Sequence, residues 1–282
     1  MTKDIQTQKM PMWEFFNQHP SAAGPTKLGR LEQLGAGDRM AAELFVEALK
    51  RSRRVLDIGC GCGLPGLYLA SHVGELVGVD AAPNMVAAAQ QNASGLEVTN
   101  ATFLVANATS LPFQDECFDG VSMLGLLESM DWEAVHRAMR EVRRVLQPGG
   151  RIAVLDRDWS DVLLRKPRRE ARIQMHSGRP TLETTQRQEL PGLERHSRYL
   201  VDPNSPSGQK LMSEVRASTR VTTDTGLDDL QQEDILDAWY DEGAQFDKEA
   251  LASLMDFYSF SEVKVECQKV WNEGMLFATA RK

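Results

Sequence analysis

The residues best suited to chemistry stand together at 55–66, VLDIGCGCGLPG. Gly59, Gly61 and Gly63 alternate there with Cys60 and Cys62, after a strand-like run and before a helical pattern that begins near Leu64. Glycine lets a backbone approach a ligand closely and take up positive φ, so such a loop can cradle a small molecule with its main chain. Asp57, two residues before the first glycine, would repel a pyrophosphate and suit a ligand with an amino group. Asp80 closes the run ELVGVD, 17 residues after Gly63, where an acidic side chain can accept both hydroxyls of a ribose. The loop by itself leaves alternatives open. It could be a tight strand-to-helix turn with no ligand. It could also be the turn of an NAD-dependent oxidoreductase, because Gly61, Gly63 and Gly66 satisfy G-x-G-x-x-G.

Other reactive side chains are less ordered in sequence. Cys60 and Cys62 are separated by one residue, whereas metal-binding cysteine pairs usually leave two to four between them. They read as small side chains in a tight turn, and no metal is expected. His176 and His196 lie in a basic stretch and are candidate bases, and Tyr199 could orient a substrate. Glu128 reads either as a substrate contact or base, or as a charge at a helix start. His136 reads as a surface or packing residue. The arginines and lysine at 165–198 would recruit an anion, or form a solvated face paired with the acidic residues at 224–242. Aromatic residues are not interleaved with them, which disfavours single-stranded nucleic acid.

Short apolar runs alternate with helical patterns between 53 and 156. Strands are expected at 54–58, 75–79, 102–106, 120–124 and 152–155, with helices between them and Pro65 and Pro83 near two helix starts. An earlier helix is expected after Asp38, a suitable N-cap, and Pro148-Gly149-Gly150 should end the last helix of the series. This rhythm predicts a mostly parallel sheet with helices on both faces, and ligands bind such sheets at the carboxyl ends of the strands. SEVKVECQKVW and GMLFATARK read as two final strands joined too closely for a parallel crossover, and so antiparallel. Residues 227–240 look helical, as does LASLMDFY after Asp247. Trp13, Phe15 and Phe16 cluster near the start of the chain, which should fold back over something.

With these elements in order, the sequence resembles the class I S-adenosylmethionine-dependent methyltransferases of the small-molecule, type 11-like kind. VLDIGCGCG resembles their first motif and GVD their acidic second-strand end. NATSLPFQDECFDGVSM and REVRRVLQPGGRIAVLD resemble the segments around the third to fifth strands. The resemblance implies an α/β, Rossmann-like, seven-stranded mostly parallel sheet with an antiparallel last strand, plus a helical cap or insertion. The resemblance covers roughly 50–156 and, more weakly, 260–282. The core is placed at 38–156 and 259–282; the surplus is an N-terminal segment at 1–37, expected to cover the active site, and an insertion at 157–258, expected to cap the substrate.

The same resemblance assigns cofactor roles by position. Gly59, Cys60, Gly61 and Gly63 would pack against the homocysteine portion, with Asp57 helping to hold that end. Asp80 would bind the ribose, and Ala81 and Met85 would flank the adenine. Asn107 stands where relatives often have Asp and would accept from the adenine amino group with its carbonyl, while Ala108 would offer its N–H. Leu124 and Gly125 would lie beside the methyl group. By position rather than by resemblance, Trp13, Phe16, Glu128 and Trp159 are the candidates to line the acceptor pocket; the alternatives are that Trp159 packs the insertion onto the core and that Trp13 staples the N-terminal helix. Relatives commonly read L-E-H-V after the fourth strand, where this chain has LLESM, so Ser129 replaces a histidine. Methyl transfer to O, N, S or C is an in-line displacement from a good leaving group, so alignment and desolvation supply much of the rate. A base is needed only where the acceptor must lose a proton.

The remaining composition sets broad limits. The chain has 282 residues and a net charge of −8, which argues against a surface devoted to nucleic acid or anionic lipid. No apolar run is long enough to span a membrane, and the N-terminus lacks the apolar stretch of a secretory signal. Four scattered cysteines point to a reducing cytoplasm. The expected partner is a small-molecule acceptor, bound by a monomer or homodimer.

Overall fold

The computed structural model describes residues 12–18, 27, 34–158, 170–176, 179–190, 193–201, 244, 246–271 and 273–282. The chain divides into two compact units, Met1–Trp159 with Ala238–Lys282, and Ser160–Asp237.

The first unit is built on seven strands: β1 (Arg54–Ile58), β2 (Glu75–Asp80), β3 (Ala101–Val105), β4 (Phe118–Leu124), β5 (Leu146–Arg157), and the late pair β9 (Ser261–Val270) and β10 (Glu273–Arg281). Their order across the sheet is β3-β2-β1-β4-β5-β10-β9. β1 to β5 pair in parallel, and β10 runs antiparallel to both β5 and β9. The sheet therefore has the expected mixed form, with its strand-order switch between β1 and β4.

Side chains alternate across the two faces, as a period of two requires. Leu56, Ile58, Val77, Val79, Val121, Met123, Ile152 and Val154 enter one core, and Val55, Leu76, Ala153 and Leu155 the other. Helices α5 (Trp132–Val145) and α6 (Lys248–Phe257) contribute to the first core; α2 (Ala36–Leu49), α3 (Gly66–Ala70) and α4 (Pro83–Gly95) contribute to the second. In α5, Val135, Ala138, Met139 and Val142 recur at intervals of three and four and are buried, the stripe an amphipathic helix needs. Asp131 and Asp247 cap α5 and α6, accepting from Ala134 N and Ala250 N.

Several boundaries differ from the sequence reading. Gly35, not Asp38, precedes α2. Asp38 lies in the first turn and accepts from Trp271 Nε1 at 2.8 Å, a tertiary partner that local capping rules do not anticipate. Pro148-Gly149-Gly150 lies within β5 and shifts its register on β4, with Gly149 at φ +76°. The first unit resumes at Ala238, and α6 buries Leu251, Leu254 and Met255 in its core, so this helix is not part of the second unit.

The second unit contains β6 (Glu170–His176), β7 (Arg179–Leu190) and β8 (Leu193–Val201) in one antiparallel sheet. A helical insertion was expected, and these residues are strands instead. Ser177-Gly178 and Pro191-Gly192 separate them in sequence, and such pairs are strong hairpin punctuation. The expected helix at 227–240 lies outside the described residues.

Candidate active site

The glycine loop leaves β1 and is fastened at once to β2. Gly59 N and Cys60 N both donate to Val79 O, at 2.8 and 3.0 Å. Gly59, Gly61 and Gly63 have φ of +73°, +50° and +104°, a region L side chains seldom enter. Gly59 and Gly63 are also packed: a Cβ would lie 2.9 Å from Leu126 and 2.8 Å from Leu67. Gly61 is different, because a Cβ there would meet nothing within 4 Å. Its main chain faces open space at the carboxyl edge of the sheet.

Asp80 stands beside that opening. Gly61 N donates to Oδ2 and Ala82 N to Oδ1, each at 2.9 Å. Burial raises its proton affinity, and the surrounding backbone N–H groups counter this. A carboxylate offers about four acceptor sites, so capacity remains for further donors.

Asp57 lies beneath the loop. Its Oδ1 accepts from Ser122 Oγ at 2.7 Å, its register partner on β4. Its Oδ2 has no hydrogen-bond donor among the described residues. Burial is the main cause of a pKa raised to about 7; the Ser122 bond opposes it and the charge of Asp80 adds to it. A Cβ on Gly66 would approach Oδ2 to 2.6 Å. Gly66 is therefore required by Asp57, and the G-x-G-x-x-G match is accounted for within the chain.

Met85 and Ala108 are buried, and Ala81 is partly exposed at the end of β2. The Asn107 Oδ1 expected to meet an adenine amino group accepts instead from Thr109 N and Thr109 Oγ1, both at 2.9 Å. That carbonyl serves its own turn. Leu124 ends β4, and Gly125, at φ +57°, donates to Leu155 O. A 3-10 turn at Leu127–Ser129 follows, and Ser129 Oγ closes it onto Leu126 O. Ser129, in the relatives' histidine position, is thus a turn closure. Glu128 is buried, and Asp156 accepts from Leu127 N and Glu128 N at 3.3 and 3.5 Å.

Trp13 and Phe16 lie on α1 (Met12–Gln18), which reaches α4 through Asn17: Asn17 Oδ1 accepts from Asn84 N, and Asn17 O from Asn84 Nδ2. Phe15 is the buried ring, packed edge-on to Phe16, while Trp13 is 43% exposed. Trp159 lies outside the described residues. His176 is on β6, and His196 and Tyr199 are on β8, all in the second unit. His136 packs with Tyr258, its Nδ1 2.8 Å from the hydroxyl. Burial pushes the Cys60 and Cys62 thiols above their usual pKa, so neither is an activated nucleophile. Sequence reasoning missed Ser122, and also Glu273, which lies 3.6 Å from the Arg157 guanidinium. Ser122 had a faint signal, as a polar residue inside FDGVSML.

Residues 55–150 match the family described as Methyltransferase domain. Over that stretch the chain is similar to methyltransferases. The chain is 41% identical over 137 residues to a demethylmenaquinone methyltransferase of Thermus thermophilus, a match covering 46% of this chain and 59% of that protein. It is 36% identical over 126 residues to the methyltransferase GfsG of Streptomyces halstedii, covering 43% and 44%. The matches therefore span about half the length of these relatives. The fold is shared with the magnesium protoporphyrin IX methyltransferase of Synechocystis, at a TM-score of 0.53 and 13% identity, over 95% of this chain and 94% of that one. In the matched stretch, the glycine loop, Asp57, Asp80 and the turn after β4 all gather at one sheet edge. No helix among the described residues is long and apolar enough to cross a membrane.

Proposed function

We propose that this chain methylates an O, N, S or C atom of a small molecule, using S-adenosylmethionine. One observation carries the reading: Gly61 presents its main chain to open space while its N–H is held by Asp80. This suits a nucleoside whose ribose hydroxyls donate to Asp80 and whose aminoacyl end lies along Gly59, Cys60, Gly61 and Gly63, above Asp57. Ala81 and Met85 flank the adenine in this reading, and Ala108 offers its N–H. Asn107 shapes that turn through Thr109. Leu124 and Gly125 border the methyl group, and Trp13, Phe16 and Trp159 serve the acceptor.

The bound cofactor supplies a methyl group on a sulfonium with a neutral leaving group. The protein's task is to hold, align and dehydrate. Substrate selection is assigned to parts of the chain outside the matched domain, segment 1–37 among them. The names of the relatives support a small-molecule acceptor, and the charge and cysteine usage support a cytoplasmic protein that does not act on nucleic acid.

Calorimetry with S-adenosylhomocysteine tests this, with NADH as the control. Binding of the first and not the second is expected. Asp80→Ala should weaken S-adenosylhomocysteine by ~1–3 kcal/mol, since ribose hydroxyls would lose their acceptor. Equal affinity would remove Asp80 from that role, and no binding by the unaltered chain at millimolar ligand would overturn the reading.

A further inference from the structure

We propose that Glu128 is the proton acceptor of the reaction and that the acceptor substrate is therefore a neutral amine or hydroxyl compound, one that gives up an N–H or O–H proton. This rests on the methyl-transfer reading above and deepens it.

Glu128 sits where the sheet edge opens after β4. Its carboxylate reaches back to Gly125, so that a Cβ built there would lie 3.8 Å from Oε1. The residue is 5% exposed, and its Oε2 has no hydrogen-bond donor among the described residues. Arg157 Nε is 3.6 Å from that oxygen, close enough for attraction but too far for a hydrogen bond. The same guanidinium lies 3.6 Å from Glu273, through Nη2. A buried carboxylate oxygen without a donor costs free energy, and a bound N–H or O–H would supply the missing bond.

Among the described residues, the charged groups around Glu128 are Asp156 and Arg157 on β5 and Glu273 on β10. Three carboxyl groups surround one cation. An anionic nucleophile, such as a thiolate or carboxylate, would meet repulsion here, whereas a neutral N–H or O–H donor would not. Burial raises the proton affinity of Glu128 and Glu273 raises it further, while the Arg157 charge and a hydrogen bond from the Arg157 backbone N–H oppose both. Asp156, fully buried and facing the Glu128 charge, is driven well above its ordinary pKa and towards the neutral form. Glu128 is then the group left to take a proton. As the acceptor's heavy atom bonds to the methyl carbon, the carbon–sulfur pair stays on sulfur. The released proton passes to Glu128, which becomes a neutral carboxylic acid.

The first test needs no turnover. Carbon-13 NMR of the full chain, labelled at glutamate carboxyl carbons, should show one signal titrating above the ordinary glutamate range and missing in Glu128→Gln. Glu273→Gln should lower its midpoint, because a like charge is removed and Arg157 is left to Glu128. The second test uses a panel of small amines, alcohols, phenols, thiols and carboxylic acids with labelled S-adenosylmethionine. Amines or hydroxyl compounds should be the best acceptors. On the best of them Glu128→Gln should lower kcat ~100-fold or more, with partial rescue by Glu128→Asp and S-adenosylhomocysteine affinity within about twofold of the unaltered chain, as an interaction absent from cofactor binding requires.

A midpoint in the ordinary range, a preferred thiol or carboxylate acceptor, or near-normal kcat in Glu128→Gln would each overturn the inference. Should Glu128→Gln fail to fold, the unaltered chain's titration and Glu128→Asp still decide it. Failure of the unaltered chain to bind S-adenosylhomocysteine would instead fall on the methyl-transfer reading.

Discussion

Asp57 shows how far one residue can depart from its sequence appearance. In VLDIGCGCG it reads as a carboxylate turned to a ligand. In the fold it lies under the loop, bonded to Ser122 and pressed against Gly66. Its pKa of about 7 makes it a determinant of stability as well as of the site. The folded chain keeps this proton at pH values where the unfolded chain has released it. The stabilisation is complete below the unfolded pKa near 3.8 and is lost as pH rises through about 7. That span corresponds to roughly 4 kcal/mol as an upper figure. Asp57→Asn should therefore flatten the fall in unfolding free energy between pH 4 and 7, measured by urea denaturation across that range. A parallel pH dependence in both proteins would show that Asp57 does not carry it. The presence of a carboxylate here was legible from sequence. Its burial was not, because Ser122 becomes its neighbour only when β1 and β4 pair across 65 residues.

At the scale of elements, α1 is the least secured piece near the site. Seven residues are too few for independent helical stability. The element depends on Met12 and Phe15, which are buried, and on the paired Asn17–Asn84 hydrogen bonds. Asn84→Ala should release it while leaving the sheet intact. Amide exchange over residues 12–18 should accelerate about tenfold, with the melting temperature nearly unchanged; equal protection would mean that apolar packing alone holds the helix. The aromatic cluster at 13–16 correctly signalled an element that folds back. It did not reveal which ring would be buried, since Phe15 and the more exposed Trp13 differ only in the helix face they occupy. Strands 54–58 and 120–124 were legible because apolar residues mark them. The strands at 170–201 were not, because polar side chains mask the alternation and Gly/Pro pairs alone mark their ends.

Across the whole molecule, buried carboxyl groups accumulate at the carboxyl edge of the sheet. Asp57, Asp80, Glu128 and Asp156 all have raised proton affinity, with burial as the first cause in each. A ligand whose positive charge lies above Asp57 favours the ionised form of that residue and lowers its pKa. Binding of S-adenosylhomocysteine, with its ammonium group, should therefore release protons near pH 6.5. Calorimetry in two buffers of different ionisation enthalpy would detect this as a difference in apparent heat, and Asp57→Asn should reduce the release. Identical heats in both buffers would contradict it.

The sequence by itself determined the alternation of strands and helices, the glycine loop, the acidic end of β2 and the antiparallel final pair. These follow from local periodicity, from backbone freedom at glycine and from loop length, all readable over a few residues. Tertiary structure alone decided which faces Asp57, Asn107 and Glu128 present. Asp57 is turned inward by strand register, Asn107 is committed to Thr109, and Glu128 is enclosed by β5 and β10 from distant parts of the chain. Side-chain chemistry is written in the sequence, but its protonation and its direction depend on neighbours that only folding brings within a few ångströms.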